Sequence, residues 1–129
     1  MRQTDPIHRP ATPEIGTQLA NLYRSSHDLI DRFGLTPDLK TAWKKFEEEI
    51  EEFGLEELFM EIDSKRADSQ HFVEEAADVL VTLFNVVRAA GVSESEFIAA
   101  IRDTWRKNDA KTFDTHYVDD KGLIARKGE

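Results

Sequence analysis

The segment from Gln70 to Ala90 is the most apolar part of the chain, and its pattern limits the fold more than any other feature. Its apolar residues recur at spacings of three and four, which predicts a helix with a broad buried face, and Gly91 follows as a stop signal. Three more segments show helical spacing, and short polar connections join them. We therefore predict an all-α fold: a four-helix, antiparallel, bundle-like protomer with a mostly non-helical C-terminal tail.

Proline, glycine and serine mark the expected ends of these helices. Thr12-Pro13 and Thr36-Pro37 are typical helix starts, with the threonine as N-cap and the proline in the first turn. Gly34 is expected to end the first helix. Ser93 and Glu96 have the spacing of a capping box, which predicts the start of the fourth helix.

Weaker signals set the remaining boundaries. Gly54 is expected to bend or end the second helix, and the polar residues 64–70 are expected to form a loop. The tail has a small hairpin at 117–124 or, alternatively, is an extended arm that covers the functional site or a partner subunit. The expected organisation is a flexible arm at 1–11, a helical domain at 12–109 and the tail at 110–129.

Composition excludes several classes of protein. The 26 acidic residues outnumber the 17 basic ones, giving a net charge of −9, so binding along a nucleic-acid polymer is disfavoured. The absence of cysteine excludes a disulfide framework and a thiolate zinc site. The N-terminus lacks the apolar core of a signal peptide, and no apolar run reaches the ~18 residues of a membrane span. We expect one cytoplasmic domain without membrane contact.

A polar stripe interrupts the apolar helix at 70–90. Glu75 and Asp78 are three residues apart and share one face, which continues through Thr82 and Asn85. Two interpretations are open: the stripe is the solvent side of an amphipathic helix, or it lines an interior cleft. The apolar residues on both sides of the stripe favour the cleft.

The second helix carries a matching pair of carboxylates. Residues 47–63 contain nine acidic residues and no basic one, a composition that is usually a solvated face. Within this run, Glu49 and Glu52 are also three apart and lie beside expected core positions. Two antiparallel helices can bring this pair together with Glu75 and Asp78. Four carboxylates in one place repel one another unless protons or cations neutralise them.

An oxygen-only set of ligands favours a hard divalent cation, Mg²⁺ or Mn²⁺. Mg²⁺ in proteins usually combines a few carboxylates with water and substrate phosphates, which points to a phosphate ester or anhydride as the substrate. A di-iron bundle is excluded, because none of the four histidines follows a glutamate by three residues. His71 is interpreted as a surface residue near a helix start.

Taken together, Glu48-Glu49-x-x-Glu52 and Glu74-Glu75-x-x-Asp78 resemble the paired motif of the all-α nucleoside triphosphate pyrophosphohydrolases, the MazG-like superfamily. The order of parts is similar too: a first helix, the first motif, a loop, and the second motif on an apolar helix. The tail, with Lys107-Asn108-Asp109-Ala110-Lys111 and residues 121–128, is similar to that of compact single-domain members of phage type. The resemblance covers residues 15–128.

The resemblance implies a homodimeric or homotetrameric, Mg²⁺-dependent enzyme that cleaves the α–β anhydride of a (d)NTP to (d)NMP and pyrophosphate. Such an enzyme removes unwanted or excess nucleotides from the pool. The implied metal ligands are Glu49, Glu52, Glu75 and Asp78. Glu48 is an additional ligand or a general base, and with Glu49 it forms the implied catalytic pair. The candidates for substrate binding are Lys45, Asn108, Lys111 and Arg126 for the phosphates, and Thr82 and Asn85 for the sugar or base.

Two alternatives stay open. The first has the same chemistry but a different substrate: a phosphoribosyl-ATP pyrophosphohydrolase, which the tail resembles less. The second is a non-catalytic, acidic helical module that binds a metal or a partner. The second alternative is favoured if the carboxylates of the second helix face solvent, and disfavoured if the two pairs face each other.

Overall fold

The structure is a computed structural model that describes residues 12–62 and 69–128. The elements are α1 (Pro13–Arg32), α2 (Leu39–Ile62), α3 (Ser69–Ala89), α4 (Glu94–Asp109), β1 (His116–Val118) and β2 (Ile124–Arg126). The mostly helical architecture confirms the predicted all-α class. The arm predicted at 1–11 and most of the loop predicted at 64–70 lie outside the described residues, and the last two loop positions already belong to α3.

Glycine ends α1 and α3 as expected. Gly34 and Gly91 have positive φ angles of 64° and 79°, which glycine adopts at no steric cost. After α1, the backbone N–H of Leu35 donates to the carbonyl of Ile30 over 3.0 Å, and the N–H of Gly34 donates to Asp31. This is a Schellman motif, and the same pair of bonds follows α3 at Gly91.

The helix starts follow the prediction less closely. Pro13 is the first residue of α1, as expected, although in the described part of the chain Thr12 makes no side-chain capping bond. The start predicted at Thr36-Pro37 is wrong. Asp38 caps α2 instead, because its Oδ1 accepts a hydrogen bond of 2.8 Å from the backbone N–H of Thr41. This bond lowers the pKa of Asp38.

The second helix does not end at Gly54. The helix α2 continues through this residue to Ile62 as one element of 24 residues. A glycine inside a helix costs about 1 kcal/mol relative to alanine, and the good helix formers on both sides, mainly Glu and Leu, compensate for that cost. The long helix keeps residues on both sides of Gly54 within reach of α3.

Within residues 12–93, which form one compact unit, α3 packs against both other helices. The ring centroids of Phe53 on α2 and Phe72 on α3 are 4.9 Å apart, while Glu49 pairs further along with Glu75. Positions earlier in α2 therefore meet positions later in α3, so these helices are antiparallel. The helix α1 runs parallel to α3, with Tyr23 beside Phe84 and Asp31 bound to Arg88. The central position of α3 explains its apolar sequence.

Residues 94–128 belong to a second compact unit, which contains α4 and the hairpin. The strands β1 and β2 pair antiparallel, with Tyr117 opposite Ala125. In the turn, the Oδ1 atom of Asp119 accepts hydrogen bonds from the backbone N–H groups of Lys121 and Leu123. The predicted hairpin is thus confirmed, and a role of the tail as a cover of the functional site or as an arm over a partner subunit stays a prediction. The position of α4 in a four-helix bundle stays a prediction.

Candidate metal centre

Three carboxylates converge where α2 and α3 pack together. Glu49, Glu52 and Glu75 each offer one oxygen, and these oxygens lie within 4.8 Å of one another. Glu49 and Glu52 share a face because they are separated by nearly one helical turn, and the antiparallel packing places Glu75 opposite them. The two predicted pairs therefore face each other through three of their four members.

The three carboxylates differ in burial, which gives the site a closed side and an open side. Glu49 is 8% exposed and is thus buried, whereas Glu52 is exposed to solvent. Glu75 is intermediate, with 14% of its side chain exposed. If a cation were held here, solvent would reach it from the side of Glu52.

The two more buried carboxylates each use one oxygen and leave the other without a partner. The Oε1 atom of Glu49 lies 3.1 Å from the Nζ atom of Lys45, and the Oε1 atom of Glu75 lies 3.2 Å from the Nε2 atom of His71. The Oε2 atoms of both glutamates are buried and have no hydrogen-bond partner among the described residues. Buried oxygens are normally satisfied, so two of them at one place are oxygens that a cation could bind.

Electrostatic repulsion within the cluster appears in the pKa of its exposed member. The negative charge of Glu49 raises the pKa of Glu52, and partial desolvation, the charge of Glu75 and a hydrogen bond with Glu49 raise it further. The hydrogen bond with Glu49 raises the pKa of Lys45, which stays protonated and neutralises part of the charge. The remaining negative charge and the oxygen-only donors fit a hard cation such as Mg²⁺ or Mn²⁺.

Two predicted acidic residues lie outside this group. Asp78, one turn beyond Glu75 on α3, is exposed and is not one of the three converging carboxylates. Glu48 is half-exposed, and its Oε2 atom lies 3.7 Å from the Nζ atom of Lys45. Glu48 is thus next to the cluster through Lys45, without being part of it.

The predicted sugar or base contacts lie further along α3. Thr82 is buried, and its hydroxyl group contacts the backbone carbonyls of Val79 and Asp78, at 2.9 and 3.2 Å. Its single proton is therefore used within its own helix. Asn85 lines a recess of about 230 Å³ with Arg88 and the connection that follows α1, and its buried Oδ1 atom has no partner in the described ranges.

The other three candidates for phosphate binding belong to the second unit. The Nζ atom of Lys111 donates a hydrogen bond of 3.2 Å to the Oδ1 atom of Asn108. Arg126 is the last residue of β2 and is exposed. Because the two units are separate bodies, the roles of Asn108, Lys111 and Arg126 at the carboxylates stay predictions.

Two residues of the site were not expected from the sequence. His71 contacts Glu75 and also lies, through its Nδ1 atom, 2.9 Å from the Oε1 atom of Glu56 on α2. His71 is the third residue of α3 and its side chain is 49% exposed, as expected for a surface residue near a helix start, but its contacts with two carboxylates were not expected. A usable signal exists for one of its contacts, because His71 precedes Glu75 by four residues, the distance of neighbours on a helix. No local pattern connects it to Glu56.

Comparison with models of known protein families finds no match, and comparisons with curated proteins and with solved structures find no significant one. Within residues 12–62 and 69–128, no helix has both the length and the hydrophobicity that crossing a bilayer requires. Because the comparisons give no relative, the chemistry of the site has to be inferred from the arrangement of its residues.

Proposed function

We propose that this chain is a Mg²⁺-dependent nucleoside triphosphate pyrophosphohydrolase of the MazG-like type, which converts a (d)NTP to (d)NMP and pyrophosphate. The observation that carries the proposal is the convergence of Glu49, Glu52 and Glu75 with two buried oxygens that lack a partner. The resemblance of the paired motifs supplies the substrate class. The burial of Glu49 against α3 speaks against the alternative of a non-catalytic module with solvent-facing carboxylates.

In the proposed reaction, the oxygen of water attacks the α-phosphorus, and the bond from that phosphorus to the bridging α–β oxygen breaks. Pyrophosphate leaves with the electron pair of that bond. Glu49, Glu52 and Glu75 would hold the cation, which when bound would neutralise phosphate charge and lower the pKa of water. Lys45 keeps Glu49 in place, and Glu48, beside Lys45, is the proposed acceptor of the proton that the water loses. Asp78 is proposed to join the cation ligands when substrate binds.

A screen for pyrophosphate release tests the proposal. The chain is incubated with each standard and damaged NTP and dNTP, and with phosphoribosyl-ATP, in the presence of Mg²⁺, Mn²⁺ or EDTA. We expect release from at least one nucleotide with Mg²⁺ and none with EDTA. Release from phosphoribosyl-ATP alone would identify the alternative enzyme. No release from any substrate would leave the non-catalytic module as the better explanation.

The proposal includes assembly into a homodimer or homotetramer, which exposed apolar side chains support. The buried apolar residues in the described ranges are Ala42 and Val86, which form a small core. Large apolar side chains are exposed on several helices, and exposed apolar patches often mark protein–protein interfaces. Examples on α1, α2 and α4 are Ile15, Leu19, Leu29, Trp43, Ile50, Ile98, Ile101 and Trp105.

We therefore expect sedimentation velocity at micromolar concentration to show a species of at least two chains. Replacing Trp43 and Ile50, which are about half-exposed on α2, by serine or lysine tests whether that face contributes. The oligomer should dissociate while circular dichroism keeps its helical signal, because neither residue is buried. A monomeric wild-type chain at this concentration would contradict the predicted assembly.

A further inference from the structure

A basic side chain stands one turn before each of the two more buried carboxylates. Lys45 precedes Glu49 on α2, and His71 precedes Glu75 on α3, both by four residues. In each pair the basic group contacts the Oε1 atom, and the Oε2 atom is the buried one that lacks a partner among the described residues. The two helices thus repeat one arrangement, in which one oxygen is held and the other is left for the cation.

His71 differs from Lys45 because it is itself held from the opposite helix. Its Nδ1 atom lies 2.9 Å from the Oε1 atom of Glu56, whose side chain is 14% exposed. Both side chains are about half-exposed, Lys45 at 58% and His71 at 49%, but Lys45 has four rotatable bonds, whereas the imidazole ring has two and lies near carboxylates at both nitrogens. A side chain that is bound at two points has a fixed ring orientation, and it can transmit that orientation to Glu75.

The contact between Glu56 and His71 lies beside a pair of aromatic rings that touch each other across α2 and α3. Phe53 is one turn before Glu56, Phe72 directly follows His71, and their ring centroids are 4.9 Å apart. The contact between these rings restricts the distance between α2 and α3 near the contact of Glu56 with His71. The chain Glu56–His71–Glu75 therefore connects the packed helix pair to one of the three converging carboxylates.

We propose that His71, anchored by Glu56, is a positioning residue that holds the carboxylate of Glu75 so that its second oxygen faces the cation. This inference rests on the metal site of the proposed function and adds two residues to it. His71 is not itself a ligand, because both of its ring nitrogens already face carboxylate oxygens. A residue that holds a metal-binding carboxylate in this way reduces the number of side-chain conformations that the carboxylate must give up when it binds the metal. Loss of such a residue typically weakens metal affinity 10–100-fold.

The test measures Mn²⁺ affinity of the full chain without nucleotide, by titration calorimetry and by the EPR signal of free Mn²⁺. We expect His71→Ala to weaken binding about 10–100-fold. Glutamine places an amide N–H near the position of Nε2, so His71→Gln should recover most of the affinity. Asparagine places its N–H near the position of Nδ1, towards Glu56, so His71→Asn should recover little. Glu56→Ala should weaken binding less than His71→Ala, because it acts through the ring.

A matched control exists on the same turn of α3. The Nε2 atom of Gln70 donates a hydrogen bond of 3.1 Å to the Oε1 atom of Glu74, also four residues on, but Glu74 is exposed and outside the cluster. The variant Gln70→Ala therefore removes a similar pair without touching the site, and it should leave Mn²⁺ affinity unchanged. Unfolding curves without metal identify any variant that loses affinity because it loses its fold.

Several outcomes overturn the inference. Unchanged affinity in His71→Ala does so, as does a loss that glutamine and asparagine restore equally. Strong coupling of ¹⁴N to bound Mn²⁺ in pulsed EPR would make His71 a ligand and reject the positioning role. A wild-type chain that binds no Mn²⁺ would reject both this inference and the proposed metal site. If Mn²⁺ binds and the affinities follow the expected order while no nucleotide is hydrolysed, the positioning role holds and the proposed enzyme function fails.

Discussion

Replacing Glu75 by glutamine is expected to lower metal-dependent pyrophosphate release by at least about a thousand-fold. Glutamine keeps the shape of the side chain and an oxygen that can accept a hydrogen bond from His71, but it lacks the charge that holds a cation with Glu49 and Glu52. A bound metal contributes several kcal/mol of transition-state stabilisation, and each ~1.4 kcal/mol corresponds to a factor of ten in rate. The measurement is kcat/KM at saturating Mg²⁺ on the substrate that the screen identifies.

The fold of this variant should be unaffected. The charge of Glu75 is one of the causes that raise the pKa of Glu52, so its removal relieves repulsion in the metal-free protein. We expect the unfolding midpoint without metal to be at least that of the wild type near neutral pH. The matched control is Glu51→Gln, an exposed carboxylate on α2 between two members of the cluster, and it should keep full activity. Activity that survives in Glu75→Gln would show that the site is elsewhere.

Addition of Mg²⁺ or Mn²⁺ is expected to raise the unfolding midpoint of the wild type by about 10 °C at a concentration one hundred times the dissociation constant. Binding to the folded state at this concentration adds about 2.7 kcal/mol to the free energy of unfolding, if the unfolded chain does not bind. For a domain of this size, each kcal/mol corresponds to roughly 4 °C. Thermal unfolding followed by circular dichroism, with EDTA added afterwards to reverse the shift, measures the effect.

The variant Glu49→Gln should lose most of this shift. Glu49 is the most buried of the three carboxylates, and its buried Oε2 atom has no hydrogen-bond partner among the described residues. The metal-free variant should be no less stable than the wild type, because Glu49 is the main cause of the raised pKa of Glu52. Loss of the Glu49 charge does not leave Lys45 buried without a partner, because the side chain of Lys45 is exposed to water. If metal raises the unfolding midpoint of Glu49→Gln as much as that of the wild type, the cation binds at other acidic residues of α2.

Much of the local structure follows from short-range chemistry, which the sequence displays directly. Positive φ angles at Gly34 and Gly91 end two helices where the periodicity stops. The hairpin forms at the turn around Asp119. The start of α2 and its passage through Gly54 could not be predicted from the same kind of signal. At the start, Thr36 and Asp38 compete as N-cap, and the hydrogen bond from Thr41 to Asp38 decides the position. At Gly54, the longer helix contributes more packing against α3 than an early end would.

The spacing of the acidic pairs was enough to predict which faces of α2 and α3 carry carboxylates, since residues three apart share a helix face whatever surrounds them. That Glu49 is buried, Glu52 exposed and Asp78 apart from the other three depends on how the two helices are rotated and offset against each other. That offset is the sum of many side-chain contacts, such as the one between Phe53 and Phe72. The bridge from Glu56 through His71 to Glu75 joins residues on different helices, so only the packed structure brings its three members together.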